Sequence, residues 1–200
     1  MSDERDRTSA RAFFAERAAS WEERFPDDGP KYAAAVAALS LSPGARVVDL
    51  ACGTGRAIPV LRDAVGPDGS VIAIDYVPEM LAEAARRGRD RLATLVIADA
   101  MAIPLASGSV DAVFAAGLIS HLTSPLEALA GMARVCRQGG RLAVFHPLGR
   151  EALAARHGRT LTGEELHAPA NIVPGLASVG WRADLVDDSP DRYLVLATRI

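Results

Sequence analysis

Two rhythms divide the chain. Up to about residue 40 the apolar positions recur at three- and four-residue steps, so that Phe13, Phe14, Ala18, Trp21 and Phe25 fall on one helical face. The run Pro-Asp-Asp-Gly-Pro then interrupts the helix, and Tyr32 to Leu39 resume one. The aromatic residues are concentrated here, and their face either packs on the core or closes as a lid over a ligand pocket. From Arg46 onward short aliphatic runs alternate with longer amphipathic stretches. RVVDL, SVIAID, ATLVIAD, VDAVFAA and GRLAVFH each read as a buried strand, and the stretches from Gly55, Pro78 and Ser124 read as helices. Strand and helix in strict alternation predict an α/β fold with a doubly wound, mostly parallel sheet. Trp181 to Asp187 and Arg192 to Thr198, separated by Asp188-Ser189-Pro190-Asp191, predict a closing antiparallel hairpin, which makes seven strands in all. The 200 residues fit a single domain over 1–200: a helical lid region 1–40, a ligand-binding core 44–147, and further helices with the hairpin over 148–200.

Composition narrows the function classes. The 22 basic and 25 acidic residues nearly balance and are scattered, so no basic stripe marks a nucleic-acid surface. The first residues, MSDERDRTSARAFF, lack the apolar segment of a secretory signal, and no apolar run is long enough to cross a bilayer. A cytoplasmic protein without membrane contact, present as a monomer or homodimer, is the expectation. Cys52 and Cys136 have no CxxC spacing and read as reduced, mostly buried thiols.

The chemistry gathers at the strand ends. VVDLACGTG runs from a predicted strand into a predicted helix, where Gly53 and Gly55 allow a tight turn and close approach of a ligand to the backbone. One strand later Asp75 ends VIAID, at the position where a carboxylate accepts hydrogen bonds from ribose hydroxyls. Asp99 ends the third strand. The carboxyl ends of parallel strands line a common crevice, so Asp49, Asp75 and Asp99 should converge there, although each taken singly could be a helix cap. The turn Ala-Cys-Gly-Thr-Gly-Arg lacks the third glycine of a dinucleotide fingerprint, and Asp49 would repel a pyrophosphate. His121 follows the fourth strand, His146 ends the fifth and His157 lies beyond it. His121 and His146 are the candidate general bases. His146 is preferred, because Pro147 holds its backbone extended at the crevice floor. No metal is expected, since the three histidines show neither a helical i, i+4 pair nor a CxxC companion.

VVDLACGTGR, VIAIDYVPEML, IADAMAIPLASGSVDAVFAAGLISHL and RVCRQGGRLAVFHP resemble, in order and spacing, the successive motifs of class I S-adenosylmethionine-dependent methyltransferases. They are most similar to the group around the menaquinone and ubiquinone biosynthesis methyltransferases. The resemblance implies a Rossmann-like fold, S-adenosyl-L-methionine as cofactor, and methyl transfer to O, N or C of a small-molecule acceptor. By position it implies that Asp49 and the turn Ala51, Cys52, Gly53, Thr54 and Gly55 cradle the methionine part, and that Asp75 takes the ribose hydroxyls. Asp99 and Ala100 would face the adenine amino group, and Tyr76 and Met80 would cover the adenine or ribose. The backbone around Ala116 and Gly117 would meet the methionine amine. Ala51 departs from the glycine usual in the family. The acceptor would lie between the amino-terminal helices and Pro147 to Ala170. Two other readings stay open: a protein that binds the cofactor without methylating, and a nicotinamide-dependent oxidoreductase.

Overall fold

A computed structural model describes the backbone of residues 2–200 and the side chains from Ser9 onward. Seven strands form one sheet: β1 (Arg46–Leu50), β2 (Ser70–Asp75), β3 (Thr94–Ile97), β4 (Val110–Ala116), β5 (Cys136–His146), β6 (Trp181–Ser189) and β7 (Arg192–Arg199), in the spatial order β3-β2-β1-β4-β5-β7-β6. The first five pair in parallel, while β7 runs antiparallel to both β5 and β6. Helices α1 (Ser2–Arg17), α2 (Gly29–Leu39), α3 (Ile58–Val65), α4 (Pro78–Arg86), α5 (Pro125–Val135), α6 (Arg150–Arg156) and α7 (Pro169–Ser178) surround it.

Neighbouring strand residues point to opposite faces, and both faces are buried. Val47, Phe114 and Phe145 pack with Val36, Leu39, Leu61 and Val65 of α2 and α3. Val48, Val113 and Leu142 pack with Leu129 and Met132 of α5 and Ile172 and Leu176 of α7. This two-sided burial explains why the central strands are nearly continuous aliphatic runs. Trp181, fully buried, anchors the hairpin by donating its indole N–H to the Leu129 carbonyl at 3.0 Å.

Three expectations are corrected. ATLVIAD is not a buried strand: β3 pairs only with β2, at the sheet edge, and Ile97 is 63% exposed. The helix expected from Gly55 begins at Ile58, because Gly53 and Gly55 hold positive φ values and the chain spends those residues turning. The aromatic stripe loses Phe13, which lies in solvent beneath the Arg17 guanidinium, 3.8 Å from the ring centroid; Phe13 and Phe14 are successive residues, about 100° apart around a helix, and only Phe14 faces inward. The α-helix itself stops at Arg17, and a 3₁₀ turn, Ala18–Ser20, leads on to Trp21.

Candidate functional site

The parallel register of β1 and β2 sets Leu50 beside Ile74 and so carries the two following turns into one crevice. There the Asp75 carboxylate accepts the Gly53 amide at 2.8 Å through Oδ2 and the Val77 amide at 2.9 Å through Oδ1. A carboxylate offers about four acceptor sites, so these amides leave capacity for a ligand hydroxyl. Burial raises the Asp75 pKa, and the amides of Val77, Gly53 and Tyr76 pull it back. Asp49, 1% exposed, has a different situation: its Oδ2 finds no hydrogen-bond partner. Burial first, and then the charge of Asp75, push its pKa up to about 8, against the opposing pull of Arg89.

Between them runs a turn with three left-handed residues, Ala51 (φ 58°), Gly53 (φ 56°) and Gly55 (φ 80°). The departure from glycine at Ala51 therefore carries a backbone cost of about 1 kcal/mol. At Gly55 a Cβ would come within 2.5 Å of the Ile58 side chain and 3.0 Å of Arg89, so the position admits no larger residue without displacement. Thr54 is buried and donates its hydroxyl to Glu22 at 2.9 Å, while burial pushes the half-buried Cys52 thiol up. The orphaned oxygen of Asp49 suits an ammonium, whose charge would favour the ionised carboxyl, and the Asp75 carboxylate beside it opposes a pyrophosphate. The residues present thus fit the methionine end and ribose of S-adenosylmethionine.

Asp99, half-buried, accepts the Met101 amide at 2.9 Å, and Ala100 is buried behind it. Met80 is 2% exposed and packs with Val77 and Tyr76 against Phe14, Ala15, Ala18 and Trp21, so the Tyr76 to Met80 segment is also where the amino-terminal region sits down. Ala116 is half-buried. Gly117 gives its amide to the Phe145 carbonyl at 2.8 Å.

The histidines separate. His146 is half-buried at the end of β5, with Nδ1 3.0 Å from both the amide nitrogen and the carbonyl oxygen of Leu148. Burial lowers its pKa to about 4, with the Leu148 hydrogen bond pulling the other way. His121 lies on the rim with its ring edge-to-face on Phe14, centroids 5.4 Å apart; loss of surrounding water, then the charges of His157 and Arg159, lower its pKa. His157 is exposed after α6. Among the described residues no three His, Cys, Asp or Glu side chains are placed to hold a metal.

A small cleft, open to solvent on one side, lies between the loop after β4, the end of β5, α6 and β7. His146 lines it together with Arg150, His167 and Tyr193, which sequence reasoning did not single out. The antiparallel register that pairs His146 with Tyr193 creates this neighbourhood, and no motif announces it. The segment expected to border the acceptor, Pro147 to Ala170, contributes Leu148, Arg150, Leu153 and His167 to this cleft. Glu22 and Arg89 were missed for the same reason, since they meet only through the fold.

Residues 48–144 match the family described as a methyltransferase domain. A demethylmenaquinone methyltransferase of Beutenbergia cavernae is 41% identical over 108 residues, which is 54% of this chain and 42% of that protein. An uncharacterized 37.1 kDa protein in a Streptomyces fradiae transposon is 40% identical over 111 residues, 55% of this chain and 32% of that protein. The match thus spans less than half the length of either curated relative. Among solved structures, the magnesium protoporphyrin IX methyltransferase of Synechocystis with bound SAH has a TM-score of 0.75 at 18% identity, covering 98% of this chain and 100% of the other. The fold likeness therefore runs well beyond the motif region. Residues 48–144 thus form a methyltransferase domain, whose motifs resemble those of the class I S-adenosylmethionine-dependent methyltransferases and whose strand order and fold extend over the rest of the chain.

Proposed function

We propose that this chain transfers a methyl group from S-adenosylmethionine to a small-molecule acceptor held in the cleft beside His146. The observation that carries the reading is the pairing of a buried, unpartnered Asp49 oxygen with the Asp75 carboxylate across one left-handed turn, a geometry suited to an ammonium and a ribose on a single ligand. The bound sulfonium supplies an activated methyl group, so the protein has chiefly to orient the acceptor and exclude water. Asp75 would fix the ribose and Asp49 the amine. Asp99 and Ala100 would face the base, with Tyr76 and Met80 forming part of its cover. His146 would take a proton from the acceptor where one must leave. His121 stands nearer the lid. The amino-terminal segment up to Phe25 would act as that lid, because Phe14 reaches both the Met80 cluster and His121.

Calorimetric titration with S-adenosylhomocysteine tests the cofactor assignment. Asp75→Ala should weaken binding about 10- to 100-fold, as expected for loss of charged hydrogen bonds. An unchanged dissociation constant would remove Asp75 from the site. Release of S-adenosylhomocysteine on incubation with S-adenosylmethionine and cell extract distinguishes an enzyme from a protein that only holds the cofactor. Tight binding of NADH would favour the oxidoreductase reading instead.

A further inference from the structure

The cleft beside His146 contains two hydrogen-bond donors without a use. Tyr193 is 4% exposed and its hydroxyl has no partner. Arg150 is 9% exposed; its Nη2 reaches Glu165 at 3.2 Å and its Nη1 lies 3.6 Å from Asp188, yet its Nε is buried with no partner. Both side chains line the cleft, whose remaining walls, including Leu118, Ile119, Val144 and Leu153, are largely apolar. A buried donor left unsatisfied is destabilising, so two of them at one cleft point to a ligand oxygen that completes them.

The charge balance decides which kind of oxygen. The Arg150 guanidinium is already matched by Glu165 and Asp188, and Asp188 also approaches through its Oδ1, which accepts the Arg150 amide at 2.8 Å. Burial lowers the pKa of His146 and of His167, so neither contributes a positive charge at neutral pH. A bound anion would therefore face the Glu165 and Asp188 carboxylates at the one guanidinium that lines the cleft, whose charge is already committed, with Arg156 and Arg159 acting on the cleft histidines from beyond its lining. A neutral oxygen needs only the donors. Tyr193, held protonated by burial and by the Asp188 charge, is such a donor throughout the physiological range.

We propose, on the methyltransferase reading, that the acceptor is a compact, mostly apolar molecule bearing an uncharged hydrogen-bond-accepting oxygen, anchored by Tyr193 Oη and Arg150 Nε beside His146. Glu165 and Asp188 hold Arg150 in place and bias the cleft against acids.

The test uses three matched probes on the full chain saturated with S-adenosylhomocysteine: 1-indanone, indane and 1-indanecarboxylate, titrated by ligand-observed NMR. Indanone should bind about tenfold tighter than indane, the difference one satisfied hydrogen bond makes, and the carboxylate no tighter than indane. In Tyr193→Phe the preference for indanone should shrink to within about twofold. That variant loses a buried unpaired hydroxyl, so it should also unfold at the same or a higher temperature, and its affinity for S-adenosylhomocysteine should not change. Equal binding of the first two probes, binding of none, a preference that survives Tyr193→Phe, or tighter binding of the carboxylate each overturns the proposal. Should S-adenosylhomocysteine itself fail to bind, the methyltransferase reading falls instead, and the same three titrations on ligand-free protein still decide whether the cleft reads a neutral oxygen.

Discussion

At His146 a single backbone residue offers both hydrogen-bond possibilities, since the Leu148 amide and carbonyl lie equally close to Nδ1. If Nδ1–H donates to the carbonyl, Nε2 is bare and can take a proton; if Nδ1 accepts the amide, Nε2–H is a donor. With a pKa near 4 the ring is uncharged at neutral pH, so it is present as a base but a weak one. His146→Asn should keep cofactor affinity and lower turnover by about 10²–10⁴-fold if proton removal is part of the reaction. In the native protein, turnover should fall as the pH drops through about 4, where the ring becomes charged. Turnover within a few-fold of native in the variant would assign His146 a structural role. The strain at Ala51 belongs to the same scale: a methyl group is held in left-handed backbone where the family usually has none to hold.

Among the elements, the segment from α1 to Phe25 is secured by contacts that do not belong to the sheet. Glu22 receives Thr54 at 2.9 Å, Arg89 Nη2 at 3.2 Å and Arg87 at 3.4 Å, while Arg56 donates to the Phe25 carbonyl at 2.6 Å. Burial alone would raise the Glu22 pKa, but the hydrogen bonds from Arg89 and Thr54 bring it below its ordinary value, so the carboxylate stays charged. This clasp joins the candidate lid directly to the cofactor turn. Glu22→Gln should speed amide exchange over residues 12–24 by up to about tenfold, and S-adenosylhomocysteine should slow it in the native protein; identical exchange in all three samples would mark the segment as scaffold. β1, β2 and β4 could be read residue for residue from the sequence because they are buried on both sides and little but aliphatic residues fits. β3 could not, since an edge strand can be just as aliphatic and exposure leaves no trace in so short a run. The three aspartates were legible because they sit at the carboxyl ends of strands, Asp49 one residue before the end of β1, Asp75 at the end of β2 and Asp99 two residues past β3. Arg150, Tyr193, Glu22 and Arg89 were not, because their roles arise from antiparallel register and loop closure between distant parts of the chain.

On the scale of the whole molecule, the buried groups give the stability a pH dependence of definite sign. Asp49 has a folded pKa of about 8 against an ordinary 3.8, so between these values the folded protein holds a proton that the unfolded chain has released, and stability falls as the pH rises. Asp75 acts in the same direction. His146 acts oppositely between about 4 and 6.5, where the unfolded chain gains a proton that the folded ring refuses. The two effects offset one another in acid, and above pH 6.5 the Asp49 effect remains. The melting temperature of the ligand-free protein should therefore decline between pH 6.5 and 8 by scanning calorimetry, and Asp49→Asn should flatten that decline. An unchanged profile in the variant would mean that Asp49 is ionised in the folded protein. The position of β7 has a consequence for how such a chain is made. β7 fills the gap between β5 and β6, yet it follows both in sequence, so a nascent chain has synthesised six strands while β5 still carries an unpaired, aliphatic edge. At roughly 5–20 residues per second, that edge stays open until Arg199 has cleared the ribosome. Premature termination anywhere in the hairpin would yield a nearly complete sheet with a sticky margin, and a chaperone that shields strand edges would matter most in that interval.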